Sequence, residues 1–168
     1  MVKATIPMAD PKRADSHIVI GCDHAGYALK AALHVFLKAH HYTVVDVGCF
    51  SADDKVDYPN VAAQVVETMR ELGAPRGLIT CGSGVGVAMA ANRFPDIRAV
   101  HAGDAYLAKL RRLHNDSNVL CMGGRFVATD YAQEILSAWL ATDFEGERHE
   151  ARVAQLGQLG SGAAPVQR

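Results

Sequence analysis

The stretch Arg76-Gly-Leu-Ile-Thr-Cys-Gly-Ser-Gly-Val-Gly86 decides the fold, because it joins two kinds of structure within eleven residues. Its first six residues form a largely apolar run that predicts a buried strand ending at Cys81. Three glycines then alternate with other residues up to Gly86, and a helical pattern begins at Val87. A glycine turn between a strand and a helix is typical of a βα unit, so the stretch predicts an α/β protein with parallel strands.

The same alternation extends in both directions along the chain. A segment with helical spacing follows each of five apolar runs. The runs predict strands at residues 17–22, 43–47, 76–81, 98–102 and 119–122. Alternating βα units favour a parallel sheet with helices on both faces. The sequence therefore predicts one domain over residues 17–159, with a flexible N-terminal extension at 1–16 and a flexible tail at 160–168.

Composition and charge exclude several classes of protein. Of 168 residues, 49% are apolar and 21% are charged, which is a globular composition. The net charge of −1 gives no reason to expect nucleic acid or a membrane surface as a partner. No apolar stretch approaches the roughly 18 residues of a membrane span, and residues 1–16 carry no apolar signal segment. Four cysteines without a CxxC pair indicate reduced thiols in a cytoplasmic protein rather than a zinc or redox motif.

The glycine loop that follows Cys81 has two interpretations. Consecutive backbone N–H groups of such a loop, at the start of a helix, can bind a phosphate or a developing oxyanion. A tight turn without a ligand explains the same glycines. The loop lacks the GxGxxG spacing of a dinucleotide fingerprint and the Gly-Lys-Ser/Thr ending of a P-loop, so no nucleotide cofactor is predicted.

Chemically capable residues end two of the predicted strands. Cys81 precedes the glycine loop, where a thiolate would serve as a base or nucleophile, although a buried cysteine at a strand end fits the same position. Asp23 and His24 follow the first strand and suit acid–base chemistry, and Asp23 equally suits a cap on the next helix. Ligands of parallel sheets bind beyond the carboxyl ends of the strands, which is where these residues are predicted to lie.

A further set of polar residues lies in the second half of the chain. His114 and Asn115 end the fourth predicted helix, either as acid–base residues or as a C-cap. Arg125 follows the fifth strand. Arg148 and Arg152 are four residues apart and share one helix face, which suits a phosphate, although a solvated face paired with nearby glutamates explains them as well.

These groups together fit one type of reaction. A thiolate base, an oxyanion-binding loop, proton-shuttling groups and an arginine cluster are what enolisation next to the carbonyl of a small phosphorylated substrate requires. No helical His-x-x-x-His pair or comparable set of ligands predicts a metal. We therefore expect chemistry that uses neither a metal nor a cofactor.

Seven motifs carry a resemblance to a known family. They are, in order, Gly21-Cys-Asp-His-Ala-Gly26, Asp57-Tyr-Pro59, Cys81-Gly-Ser-Gly-Val-Gly86, Ala90-Ala-Asn92, His114-Asn-Asp116, Gly123-Gly-Arg125 and Arg148-His149…Arg152. Over residues 17–156 the chain closely resembles the type B ribose-5-phosphate isomerases, within the wider family that includes galactose-6-phosphate isomerase subunits. The resemblance implies a Rossmann-like α/β sandwich and a homodimer that often pairs into tetramers. It also implies metal-free interconversion of ribose 5-phosphate and ribulose 5-phosphate, a step of the pentose phosphate pathway.

The resemblance implies which residues perform the proton transfer. Cys81 matches the base that moves a proton between carbons 2 and 1. The loop that holds the enediolate oxygen matches Gly82, Ser83, Gly84, Val85 and Gly86. Some members replace the cysteine and carry a glutamate just after the loop. Val87 stands at that position here, which leaves Cys81 as the base.

The resemblance also implies which residues open the sugar ring and bind the phosphate. Asp23 and His114 match the ring-opening residues, and Asn115 lies beside them. Tyr58 matches an aromatic residue at the edge of the site. The phosphate contacts match His24, Arg125, Arg148 and Arg152.

Two alternative functions stay open at this point. An isomerase of a six-carbon sugar phosphate, such as allose or galactose 6-phosphate, would carry the same motifs. A non-catalytic module that binds a sugar phosphate would need no base at Cys81. Turnover of matched substrates distinguishes all three interpretations.

The positions of the residues, together with the resemblance, predict a site shared between two subunits. A sheet of five strands does not easily surround one sugar phosphate with all of these side chains. We expect a two-fold axis to bring His114, Asn115 and Arg125 of one subunit over Cys81 of the other.

Overall fold

Five apolar runs form the strands of one parallel sheet. The computed structural model describes residue 9 and residues 16–159. Its strands are β1 (His17–Cys22), β2 (Thr43–Asp46), β3 (Arg76–Cys81), β4 (Ala99–His101) and β5 (Val119–Gly123). They lie in the order β2-β1-β3-β5-β4, and every neighbouring pair is parallel. The predicted strands are confirmed to within one residue at each end. The expected terminal extension and tail lie outside the described residues, apart from Ala9 and Ser16.

Six α-helices connect and cover the strands within the described residues. They are α1 (Tyr27–Ala39), α2 (Tyr58–Leu72), α3 (Val85–Ala91), α4 (Ala105–Asn115), α5 (Thr129–Leu140) and α6 (Glu150–Gln158). The last helix begins only at Glu150, because Gly146 and a 3-10 turn at Glu147–His149 precede it. None of the described helices is long and apolar enough to cross a membrane.

Residues at the helix ends explain where the helices start and stop. The Asp104 carboxylate accepts a hydrogen bond from the N–H of Leu107 at 2.8 Å and caps α4, as the sequence predicts. Gly73 ends α2 with a φ of 61°, the left-handed conformation that glycine adopts without strain. The start of α4 is therefore set by a side chain that caps it, and the end of α2 by a residue that has no side chain.

The core consists of two apolar layers, one on each face of the sheet. Along β1, Ile18 and Ile20 pack into the layer that contains Leu33 of α1 and Trp139 of α5. Val19, which points the opposite way, packs into the layer formed by α2 and α3. A strand that is buried on both faces explains why its sequence is apolar throughout. The three-layer sandwich is confirmed.

The parallel sheet has two chemically different edges. We call the edge where Cys22, Cys81, His101 and Gly123 end their strands the carboxyl edge, and the opposite one the amino edge. Helix α4 starts at the carboxyl edge and returns to the amino edge. There the Nε–H of Arg98, just before β4, donates to the carbonyl of Asp116, just after α4, at 2.7 Å. The end of α4 therefore lies far from the strand ends that precede the glycine loop.

Candidate active site

The glycine loop is built around the sulfur of Cys81. This residue ends β3 and is 5% exposed. The backbone N–H of Gly84 donates a hydrogen bond to its Sγ at 3.0 Å. An N–H that points at sulfur stabilises negative charge there, so the loop provides what a thiolate base requires.

Gly84 is required at its position for two reasons. Its φ is 79°, in the left-handed region that favours glycine. A Cβ placed on it would also lie 2.7 Å from Cδ2 of His101 and 2.8 Å from the backbone carbon of Met122. The loop is thus packed against the ends of β4 and β5, and His101 forms one of its walls.

Two further close contacts shape the loop. A Cβ on Gly86 would lie 3.0 Å from the ring of Tyr58. Tyr58, the aromatic residue predicted at the border of the site, therefore lies next to the glycine loop. On the other side, Gly123 lets the backbone of Ser83 approach β5. Ser83 and Val85 are exposed, and the Val85 N–H lies 3.3 Å from the hydroxyl oxygen of Ser83. The serine hydroxyl is therefore available at the open side of the loop.

Asp23 and His24 lie beside Cys81 because the ends of β1 and β3 are tied together. The N–H of Asp23 donates to the carbonyl of Thr80 at 3.2 Å, and the Thr80 hydroxyl donates to the carbonyl of Gly26 at 2.9 Å. The Asp23 carboxylate accepts from the N–H of Gly26 at 3.0 Å, which confirms its capping role. The second oxygen of this carboxylate can serve a ligand.

His24 has a buried ring nitrogen that is available to a ligand. Its Nδ1 is buried and has no hydrogen-bond partner among the described residues. Buried nitrogen atoms of this kind are nearly always hydrogen-bonded in folded proteins. An oxygen of a substrate at the carboxyl edge would satisfy this nitrogen, in agreement with the predicted binding role.

Arg125 belongs to the same group as Cys81. Its N–H donates to the carbonyl of Gly82 at 3.2 Å, and a Cβ on Gly82 would lie 3.3 Å from the guanidinium carbon. The expectation that Arg125 accompanies His114 on the other side of a shared site is therefore wrong. Arg125 follows β5, and β5 pairs directly with β3, so the arginine emerges next to the glycine loop of its own chain.

A second group of predicted residues lies at the amino edge. It contains His114 and Asn115 at the end of α4, and Arg148 and Arg152 around the start of α6. The imidazole rings of His114 and His149 stack with centroids 4.6 Å apart. One carboxylate oxygen of Glu145 lies 3.7 Å from the Nε2 of each ring. Arg148 and Arg152 therefore lie beside a cluster of titratable side chains and not on an isolated helix face.

Electrostatics distinguish the two stacked histidines. His149 is buried, and its pKa is lowered first by that burial and then by the neighbouring charges of His114 and Arg148. The Nε–H of Arg148 donates to the Nε2 of His149 at 3.3 Å. A guanidinium only donates, so this Nε2 carries no proton and His149 is neutral.

Sequence reasoning missed this cluster of Glu145 and His149 around His114. Each of the three side chains has one atom that can bind a metal, and these atoms lie within 4.8 Å of one another. The distances alone are those of a metal site. The two rings are nearly parallel, with an interplanar angle of 14°. Their nitrogen lone pairs therefore run side by side instead of converging on one point, as a tetrahedral ion would require. The geometry fits a proton-sharing cluster better than a metal centre.

The other described thiols differ from Cys81 in their surroundings. Burial raises the pKa of Cys22 to about 12, and burial likewise raises the pKa of Cys121. Both are kept as neutral thiols. The sulfur in contact with the glycine loop is that of Cys81, which supports the prediction that Cys81 is the base.

One chain does not bring all the predicted site residues together. The carboxyl edge holds Asp23, His24, Tyr58, Cys81, the loop Gly82–Gly86 and Arg125. The amino edge holds His114, Asn115, Arg148 and Arg152. Each group is chemically incomplete, because the first lacks the second proton shuttle and most of the arginines, and the second lacks a base.

The fold and these side chains fit the class of α/β isomerases of phosphorylated sugars. A family model described as Ribose/Galactose Isomerase matches residues 18–156, and the chain belongs to this family. The family resemblance in the sequence motifs is confirmed.

Known relatives are similar in sequence and in fold. Ribose-5-phosphate isomerase B of Escherichia coli is 42% identical over 136 residues, covering 81% of this chain and 91% of that protein. D-erythrulose-4-phosphate isomerase 2 of Mycolicibacterium smegmatis is also 42% identical over 136 residues, covering 80% and 90%. The solved structure of ribose-5-phosphate isomerase B from Mycoplasma genitalium with bound ribulose-5-phosphate superimposes with a TM-score of 0.80 at 35% identity, covering 84% of this chain and 94% of that chain.

Proposed function

We propose that the protein is an aldose–ketose isomerase that interconverts ribose 5-phosphate and ribulose 5-phosphate in the cytoplasm. The observation that carries the proposal is the hydrogen bond from Gly84 to the sulfur of Cys81, beside Asp23 and Arg125. The family and the relatives named for this reaction support it. The free state of Cys81 and the other described cysteines supports a reducing compartment.

The proton transfer follows from the position of the sulfur. Cys81, as a thiolate, removes the proton on carbon 2 of the open-chain aldose. The electron pair of that C–H bond forms the carbon–carbon double bond of a cis-enediolate, and the former carbonyl oxygen takes the negative charge. N–H groups of the glycine loop stabilise that charge in a pocket with little water. The hydroxyl proton on oxygen 2 then passes to oxygen 1, and a carbonyl forms at carbon 2. The electron pair of the carbon–carbon double bond takes the proton of the Cys81 thiol at carbon 1, which gives the ketose and restores the thiolate.

Two copies of the chain complete the site in this proposal. One copy provides the carboxyl-edge group with Cys81 and Arg125, and the other provides the amino-edge group with His114 and Arg148. Exposed apolar side chains next to the loop support a covered surface there: Met89 on α3 is 68% exposed, and Phe126 beside Arg125 is 77% exposed. A two-fold axis would form two equivalent sites.

The phosphate and the sugar ring would be held from both sides. Arg125 and His24 approach from the copy that carries the base. Arg148 and Arg152 approach from the other, and guanidinium groups suit phosphate because their donors form a planar fork. His114 and Asp23 would move the protons that open the furanose ring.

A four-carbon substrate is the second candidate. The relative named for D-erythrulose 4-phosphate is as identical to this chain as the one named for ribose 5-phosphate. Overall identity therefore does not discriminate between the two. We expect the highest kcat/KM with ribose 5-phosphate in a comparison of four-, five- and six-carbon aldose phosphates. A higher value with a four- or six-carbon substrate would reassign the substrate.

Replacement of Cys81 tests the reaction itself. Cys81→Ala should lower kcat by roughly 10²–10⁴-fold, the usual contribution of a positioned base, while phosphate binding is retained. Cys121→Ala is the matched control, because this thiol is fully buried on the neighbouring strand and has no catalytic role in the proposal. Activity of Cys81→Ala close to that of the unaltered protein would contradict the assignment. Binding of ribose 5-phosphate without turnover by the unaltered protein would favour the non-catalytic module.

A further inference from the structure

Glu145 occupies a position that the proposed reaction does not use. Its carboxylate faces the stacked pair of imidazoles, with Oε2 3.7 Å from Nε2 of His114 and 3.7 Å from Nε2 of His149. Its backbone N–H donates to the carbonyl of Leu113 at 3.0 Å, which ties the segment before α6 to the end of α4. This hydrogen bond holds the backbone of Glu145 next to the backbone that carries His114.

Only one of the two histidines can donate a hydrogen bond to this carboxylate. The Nε2 of His149 accepts a hydrogen bond from Arg148, so it carries no hydrogen for Glu145. Burial and the nearby positive charges of Arg148 and Arg152 also oppose a second positive charge on His149. The Nε2–H that Glu145 can accept is therefore that of His114.

A partner at Nε2 decides what the other nitrogen of His114 does. In an imidazole, the hydrogen bond made by one nitrogen sets the protonation and orientation of the other. With Nε2–H directed at Glu145, Nδ1 is the nitrogen that gains and loses a proton. At 3.7 Å the contact is longer than a hydrogen bond, and contacts between catalytic groups often tighten when a substrate binds.

We infer that Glu145 is a positioning residue that orients His114 for opening the sugar ring. The inference rests on the proposed function. In the ring-opening step, the bond between carbon 1 and the ring oxygen breaks and its electron pair stays on that oxygen. The oxygen takes the proton from Nδ1 of His114. The hydroxyl on carbon 1 loses its proton to Asp23, and the aldehyde forms.

Neutral His149 has a defined part in this arrangement. Two protonated rings at a centroid distance of 4.6 Å would repel each other, which disfavours a charge on His149 whenever His114 carries one. The charged groups that face the pair are Glu145, Arg148 and Arg152. His149 therefore supports the ring of His114 without competing for its proton.

The test compares Glu145→Gln on two substrates. A tetrose 4-phosphate cannot close a five-membered ring, because its terminal hydroxyl carries the phosphate, so its isomerisation needs no ring opening. With ribose 5-phosphate, Glu145→Gln should lower kcat by roughly 10- to 100-fold. With the tetrose phosphate, kcat should change by less than about twofold. Glu147→Gln, an exposed carboxylate on the following turn, is the matched control and should behave like the unaltered protein.

The outcomes separate the possible failures. Equal losses of kcat on both substrates, or no loss on either, would overturn the role of Glu145. An unaltered protein that turns over neither substrate would overturn the proposed function instead. Nitrogen NMR of the His114 imidazole is the second readout and needs no turnover. We expect the ring hydrogen to lie on Nε2 in the unaltered protein and to be distributed over both nitrogens in Glu145→Gln. The same distribution in both proteins would overturn the inference.

Discussion

The backbone N–H of Gly84 donates a hydrogen bond to the sulfur of Cys81 at 3.0 Å. The donor and the acceptor are three residues apart, so the loop turns back on the residue that ends β3. The left-handed φ of 79° at Gly84 then lets the chain turn from this N–H directly into α3. The glycine spacing in the sequence is therefore a requirement of the sulfur's environment as well as of the turn.

Substitution of Gly84 tests this relationship. Gly84→Ala should destabilise the fold by ~1–3 kcal/mol through backbone strain and should lower kcat well beyond the effect of that destabilisation. The added Cβ would meet His101 and Met122, which displaces the N–H from the sulfur. Thermal unfolding and steady-state kinetics measure the two effects separately.

Gly73→Ala is the matched control for this variant. Gly73 also has a positive φ, 61°, but a Cβ there meets nothing within 4 Å, and the residue ends α2 away from Cys81. It should lose stability by the conformational strain alone and keep its kcat. Equal kcat values for the two variants would show that the contact with sulfur has no role in turnover.

The sequence predicts the strands, helices and glycine loop well because these depend on local periodicity and turn residues. The order of the strands is not local, since each βα unit can be followed by a strand on either side. The pairing of β5 with β3 places Arg125 beside Cys81. This pairing cannot be read from the sequence, which therefore predicts Arg125 in the group of His114. The contact of Glu145 with His114 is also invisible in the sequence, because these residues are 31 positions apart and meet only because α5 brings the chain back to the amino edge.

The guanidinium groups of Arg148 and Arg152 are predicted to bind the phosphate. Arg148→Ala or Arg152→Ala should raise KM for ribose 5-phosphate by roughly one to two orders of magnitude, since a charge-assisted contact contributes about 1.5–3 kcal/mol. Lysine at either position should restore only part of the affinity, because it lacks the planar fork. Unphosphorylated ribose is the control substrate. An equal weakening of both sugars by Arg148→Ala would assign the arginines a structural role.

Activity should not depend on a divalent metal. The three side chains closest to a metal-type arrangement are His114, Glu145 and His149, and their rings stack with nearly parallel lone pairs. Arg148 already donates to the nitrogen of His149 that a cation would need. Exhaustive chelation followed by gel filtration should leave kcat and KM for ribose 5-phosphate unchanged. Loss of activity that added zinc or magnesium restores would contradict the acid–base mechanism.

The separation of Cys81 from His114 predicts that two inactive variants restore each other's activity. In a mixture of Cys81→Ala and His114→Ala that exchanges subunits, a mixed dimer has one site with both residues intact and one with neither. If half of the dimers are mixed, activity should recover to about one quarter of that of the unaltered protein. The control pairs Cys81→Ala with Asp23→Asn, whose altered residues both lie at the carboxyl edge of their own chain. Every site in that mixture lacks one of the two groups, so no activity should return. No recovery in the first mixture, although mixed dimers form, would mean that each site is built within one chain. Recovery in the control would mean that Cys81 and Asp23 reach one site from different chains.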